Sequence, residues 1–94
     1  MINVDEIIKT NDKVIFNFHA VDWCAPCKMM EPIMDKIEEE TDIKVVKVDV
    51  EKESELAQLF GVQSIPTFIY YYDGSQIKEM IGAHPFATML NVFA

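Results

Sequence analysis

The chain reads as an α/β protein built on a four-stranded mixed sheet with helices on both faces. Three observations carry this reading. Apolar residues recur at helical spacing or at strand density in the order helix, strand, helix, strand, helix, hairpin, helix. A long helical stretch separates the first two strands, which makes them a parallel pair joined by a crossover. Asp73-Gly74 between two β-rich runs is a hairpin signal and adds an antiparallel pair. With 94 residues there is room for one domain, taken as 1–94, and one modest core.

Val4 to Thr10 is the first helix, with Val4, Ile7 and Ile8 at helical spacing. Asn3 serves as its N-cap, and Glu6 three residues on would complete a capping box. Asn11-Asp12 ends it. Lys13 to Ala20 is a strand, and Val14, Ile15, Phe16 and Phe18 suit a central position buried on both faces. Cys24 to Glu40 is the main helix. Cys27, Met30, Ile33, Met34 and Ile37 line one side of it, and Lys28, Glu31, Asp35, Lys36, Glu38 and Glu39 the other. Pro32 removes one helical hydrogen bond and should bend it. Glu38-Glu39-Glu40 lies where the helix dipole disfavours anions and reads as a solvated face without function.

Ile43 to Val50 is the second strand. Glu53 to Phe60 is a helix with Leu56, Leu59 and Phe60 inward and Gly61 as its C′ residue. Thr67 to Tyr72 and Gln76 to Ile81 form the hairpin, and Tyr70-Tyr71-Tyr72 reads as strand packing. Pro85 suits the first turn of a last helix in which Phe86, Met89, Leu90 and Phe93 align.

Half of the residues are hydrophobic and 26% are charged, a soluble globular balance. The longest uninterrupted apolar run, Phe68 to Tyr72, is far short of a membrane span. Met1 to Glu6 hold no Lys or Arg and no apolar core of signal-peptide length, so no secretory signal and a cytoplasmic protein are expected; a monomer is expected as well. A net charge of −8 argues against binding nucleic acid or an anionic membrane surface.

The only cysteines are Cys24 and Cys27, within Trp23-Cys24-Ala25-Pro26-Cys27-Lys28-Met29. Two thiols at this spacing can close and open a small disulfide ring at the start of a helix. The unpaired N–H groups and partial positive charge there favour thiolate over thiol. Cys24, expected nearest the solvent, would be the nucleophile, and Cys27, one turn lower, would resolve the mixed disulfide. Two bland readings stand beside this one: inert thiols, and half of a zinc site completed by His19 and His84.

This stretch closely resembles the active site of the thioredoxin family. Pro32 stands where that family's active-site helix carries a kinking proline. Ser64-Ile65-Pro66-Thr67 resembles its cis-proline loop, and Gly82-Ala83 the residues that close its substrate groove. The likeness runs from about Lys13 to Ala94. It implies a thioredoxin fold, with the N-terminal edge strand missing because too few residues precede Val14. It implies a cis Ile65-Pro66 bond against the cysteines. It also implies an apolar docking rim of Trp23, Ala25, Pro26, Ile65, Pro66, Gly82 and Ala83 around the substrate's disulfide.

Two positions depart from the family pattern. Ala25 replaces the usual glycine between the cysteines, which bears on redox poise. The family also buries an aspartate on the strand beneath the second cysteine. Alignment with one extra residue, Val21 or Asp22, before Trp23 puts Asn17 there; ungapped alignment puts Phe18 there. Neither is a carboxylate. Lys47 matches the lysine that neighbours the aspartate.

The resulting expectation is a protein-disulfide reductase acting through the Cys24/Cys27 dithiol, with no metal or other cofactor. Its partners are proteins with disulfides and a separate reductase, since the chain has no nucleotide or flavin motif. The alternatives are an oxidase or isomerase of exported proteins, and a redox-switched binding module.

Overall fold

The computed structural model describes residues 2–94. The elements run α1 Val4–Thr10, β1 Lys13–His19, α2 Ala25–Glu40, β2 Lys44–Asp49, α3 Ser54–Leu59, β3 Thr67–Tyr72, β4 Ser75–Ile81 and α4 Phe86–Phe93. The four strands form one sheet in the order β2-β1-β3-β4. β1 pairs with β2 in parallel, Asn17 opposite Lys47 and His19 opposite Asp49. It pairs antiparallel with β3, Asn17 opposite Phe68. Strand β1 is thus central, and every residue from Val14 to Ala20 is buried.

Side chains alternate along a strand, so β1 serves two cores. Ile15 packs with Met30, Met34 and Ile37 of α2, Met89 and Phe93 of α4, and Phe68 and Tyr70 of β3. Val14, Phe16 and Phe18 pack on the other side with Val48, Ala57 and Ile69, flanked by Ile7, Ile8, Leu56, Phe60 and Tyr71. A third, smaller cluster joins Ala20 to Cys24 and Cys27, with Val50 and Ile65 against it.

Local chemistry sets the element ends. Asn3 Oδ1 accepts from the Glu6 N–H at 3.1 Å and caps α1. The capping box is only half formed, because no Glu6 side-chain bond returns to Asn3 among the described residues. Asp73 and Gly74 both take positive φ, +51° and +83°, as the tight turn of the β3–β4 hairpin requires. Helix α2 continues through Pro32, whose ring is exposed.

Three expectations need correction. Leu59 does not point inward but is 82% exposed, and the buried residue of α3 is Ala57. A helix of six residues makes fewer than two turns, too short for a periodicity to define its inner face. Glu38 is not merely solvated: its Oε2 accepts from the Val45 N–H at 2.8 Å. Val45 lies on β2, the strand at the sheet edge, and its N–H points away from β1. Finally, Cys24 is the N-cap of α2 rather than its first residue.

Candidate active site

The loop after β1 carries the chain from the sheet's C-terminal end to the start of α2. There Cys24 adopts extended backbone, and its Sγ accepts from the Cys27 N–H at 3.2 Å. Cys24 and Cys27 are joined in a disulfide, with their Cα atoms 5.2 Å apart. Both are buried, 4% and 3% exposed, so the expectation of an outward Cys24 fails in this oxidised state. Packing explains why: Ala20, Val50 and Ile65 close over the pair, and the Cys24 side chain turns back onto the helix's own N–H beneath them.

What does project is the neighbourhood. Trp23 is 63% exposed, and its Nε1–H donates to Glu51 Oε1 at 3.2 Å. Ala25 and Pro26 are exposed beside it. From the far side come Ile65, half-buried on the cysteine cluster, and the buried Pro66, joined by a cis peptide bond. The Gly82 N–H donates to the Pro66 carbonyl at 2.8 Å and ties the two loops together. Gly82 has φ +92° and open space where a Cβ would stand, so backbone conformation rather than crowding calls for glycine. Ala83 is exposed and borders an apolar cleft of about 230 Å³ whose other walls are Met29, Met30, Ile33, His84 and Pro85. A larger hollow, between Ile2 and α3, touches none of these residues.

Beneath the helix the two alignments are now distinguished. Phe18 belongs to the core on the α1/α3 side, whereas Asn17 shares the α2 side with Ile15. Asn17 is 3% exposed, and its Oδ1 is buried without a hydrogen-bond partner. Lys47 is beside it in register but reaches outward, its Nζ 3.2 Å from Asp35 Oδ1. His19 lies two residues further along the same face. Burial lowers its pKa from the ordinary 6.5, against the opposing pull of Asp49 and Glu31 and with the help of Lys47.

The zinc reading finds no geometry. Both sulfurs are bound to each other, and the His84 ring is 2.9 Å from the Ile81 carbonyl. Among the described residues no three His, Cys, Asp or Glu side chains are grouped to hold a metal. No helix among those residues is long and apolar enough to cross a membrane.

Val50 and Glu51 are site neighbours that sequence reasoning missed. Val50 directly follows β2, and by sequence it reads as ordinary core. Glu51 meets Trp23 across 28 positions, which no local pattern signals.

Comparison with known proteins places this arrangement. A family model described as Thioredoxin matches residues 3–94. Thioredoxin of Mycobacterium tuberculosis is 40% identical over 87 residues, covering 90% of this chain and 74% of that protein. A mutant thioredoxin from Halobacterium salinarum superposes with a TM-score of 0.90 at 36% identity, over 96% of this chain and 79% of that one. Oxidised mitochondrial thioredoxin 3 from Saccharomyces cerevisiae gives 0.82 at 39% identity, over 94% and 83%.

Proposed function

The chain belongs to the thioredoxin family, and from that premise we propose that it reduces partner-protein disulfides with Cys24 as nucleophile and Cys27 as resolving thiol. It is a thiol–disulfide oxidoreductase, and its redox-active pair opens α2. The Cys24 thiolate attacks one sulfur of the substrate disulfide. That bond breaks, the other substrate sulfur leaves as a thiolate and takes up a proton, and a mixed disulfide remains on Cys24. Cys27 then loses its proton and attacks Cys24 Sγ. The second substrate sulfur leaves, and the two electrons gained by the substrate are those lost by the dithiol.

The observation that carries this reading is the disulfide itself. It sits at a helix N-terminus, where backbone N–H groups favour thiolate, beside the exposed Trp23, Ala25 and Pro26. Trp23, Ala25, Pro26, Ile65, Pro66, Gly82 and Ala83 would form the docking rim for an extended substrate segment. Support for Ile65 is that its backbone takes part in no loop hydrogen bond among the described residues, so its polar groups are free for a partner strand. Asn17 and Lys47 would act from beneath.

Thioredoxins work without a cofactor beyond this disulfide, and a separate reductase returns the electrons. In Mycobacterium leprae a bifunctional thioredoxin reductase/thioredoxin joins both activities in one chain, 37% identical to this one over 87 residues. A monomer in the cytoplasm completes the reading, supported by the mutual repulsion of chains of net charge −8.

The test is insulin reduction under multiple turnover, followed by trapping. Wild type should turn over repeatedly when supplied with reductant. Cys27→Ser should accumulate a covalent substrate complex, and Cys24→Ser should form none. Normal turnover by Cys27→Ser would reverse the assignment. A single round of binding without turnover would mark a redox-switched binding module instead.

A further inference from the structure

Cys27 must lose a proton before it can resolve the mixed disulfide, because the thiolate is the attacking species. It is buried, and desolvation holds a thiol in its neutral form. The polar residue beneath α2 is Asn17, whose amide cannot take up a proton. Three polar side chains are buried among the described residues, Asn17, His19 and Thr67, and of these only a histidine changes charge near neutral pH.

His19 is well placed. It lies on the α2 side of β1 with Asn17, and its carbonyl accepts at 2.9 Å from the N–H of Val50, which packs on the cysteine cluster. No protein group hydrogen-bonds its ring among the described residues, whereas the other histidine, His84, is engaged with the Ile81 carbonyl. The charged groups around it are Glu31, one turn after Cys27 on α2, with Asp49 and Lys47 on β2. On β3, Thr67 pairs with Phe18 and so lies on the other face, its hydroxyl donated to the Ser64 carbonyl at 2.6 Å. Burial outweighs the two carboxylates and keeps the ring neutral at pH 7, the form that accepts a proton. Asn17 Oδ1, buried and unpaired two residues earlier on the same face, is an acceptor able to hold a water beneath α2.

We propose that His19 is the proton acceptor for Cys27 in mixed-disulfide resolution, linked to it by a water held on Asn17 Oδ1. The proposal rests on Cys27 being the resolving thiol. The proton passes from Cys27 Sγ through the water to an imidazole nitrogen. The new thiolate forms the bond to Cys24 Sγ, and the Cys24–substrate bond breaks. The departing substrate thiolate takes a proton from solvent, and the imidazolium returns its own proton to solvent.

The experiment is stopped-flow resolution of a Cys24-linked peptide from about pH 5 to about pH 9, in wild type and in His19→Gln. In wild type the rate should fall with decreasing pH through an inflection below 6.5. In His19→Gln the inflection should vanish and the neutral-pH rate drop about a hundredfold, while attack by Cys24 is unchanged. Superimposable profiles overturn the proposal. A second measurement does not depend on that variant folding. In the trapped Cys27→Ser mixed disulfide, the His19 ring is titrated by NMR. A midpoint at the wild-type kinetic inflection supports the proposal, and a ring that does not titrate there overturns it. If Cys27→Ser holds no mixed disulfide, the role of Cys27 itself is wrong, and the proposal falls with it.

Discussion

The two faces of β1 are alike in burial and unlike in chemistry. On one, Phe16 and Phe18 meet the Phe60 ring at 5.7 and 5.2 Å, and Phe16 meets Tyr71 edge-on at 5.6 Å. Apolar contact is all that this face of the strand offers. On the other, Ile15, Asn17 and His19 pass from apolar to amide to imidazole as the strand approaches the cysteines. Both faces are buried, so burial alone does not mark a functional surface. The mark is polarity that the fold leaves unpaired, as at Asn17 Oδ1. A two-residue period lets one strand separate cohesion from proton handling.

Four substitutions or conditions would break or sharpen this contrast. The largest effect is expected from Phe16→Ala, which should cost about 3–5 kcal/mol in urea unfolding by removing a fully buried ring. Insulin reduction per folded molecule should stay unchanged; a selective fall in resolution rate would show that the two faces are not separate. Asn17→Asp should cost about 3 kcal/mol at neutral pH, because Lys47 is held outside by Asp35 and cannot stabilise the carboxylate, which ionises only in the unfolded chain. Its carboxyl is held protonated by burial, so the loss should grow as pH rises through the unfolded carboxylate range. The same variant should add a second titration to the resolution profile; unfolding curves that match wild type would mean position 17 is open to water.

Glu38→Ala, off both faces, serves as the control. It should cost about 1 kcal/mol for one hydrogen bond, with resolution kinetics unaltered. The gentlest effect belongs to pH itself. The native His19 pKa lies below 6.5, so the unfolded chain binds more protons just beneath that value. Stability of the oxidised protein should therefore fall as pH drops below 6.5 and level off under the native pKa. Chemical denaturation of His19→Gln should lack this component; an equal pH response in both would place the sensitive group elsewhere.

The elements that could be read from sequence are those whose ends are chemically marked. Asn3 and Asn11-Asp12 bracket α1, and Asp73-Gly74 turns the hairpin, with boundaries as expected for Val4–Thr10 and Thr67–Tyr72. The Cys24–Cys27 pair was equally plain, because its spacing is itself the chemistry. What stayed hidden depends on contacts distant in sequence or on side-chain direction. The Trp23–Glu51 bond and the Glu38 bond to Val45 each link a helix or loop to another element. The burial of Cys24 follows from its packing against Ala20, Val50 and Ile65, residues of other segments that a motif does not display. Leu59 shows that hydrophobicity gives no direction in a helix too short to display a period.

The Glu38 carboxylate on Val45 has a consequence for how this sheet ends. β2 is a boundary, and a boundary strand invites growth. Any further strand, whether contributed by a second molecule or grafted by design, must first dislodge Glu38 to reach that amide. The barrier is a single side chain on a neighbouring helix, not a proline or a bulge written into the strand. The border is latched rather than sealed, and one substitution in α2, with the strand untouched, would open it to extension.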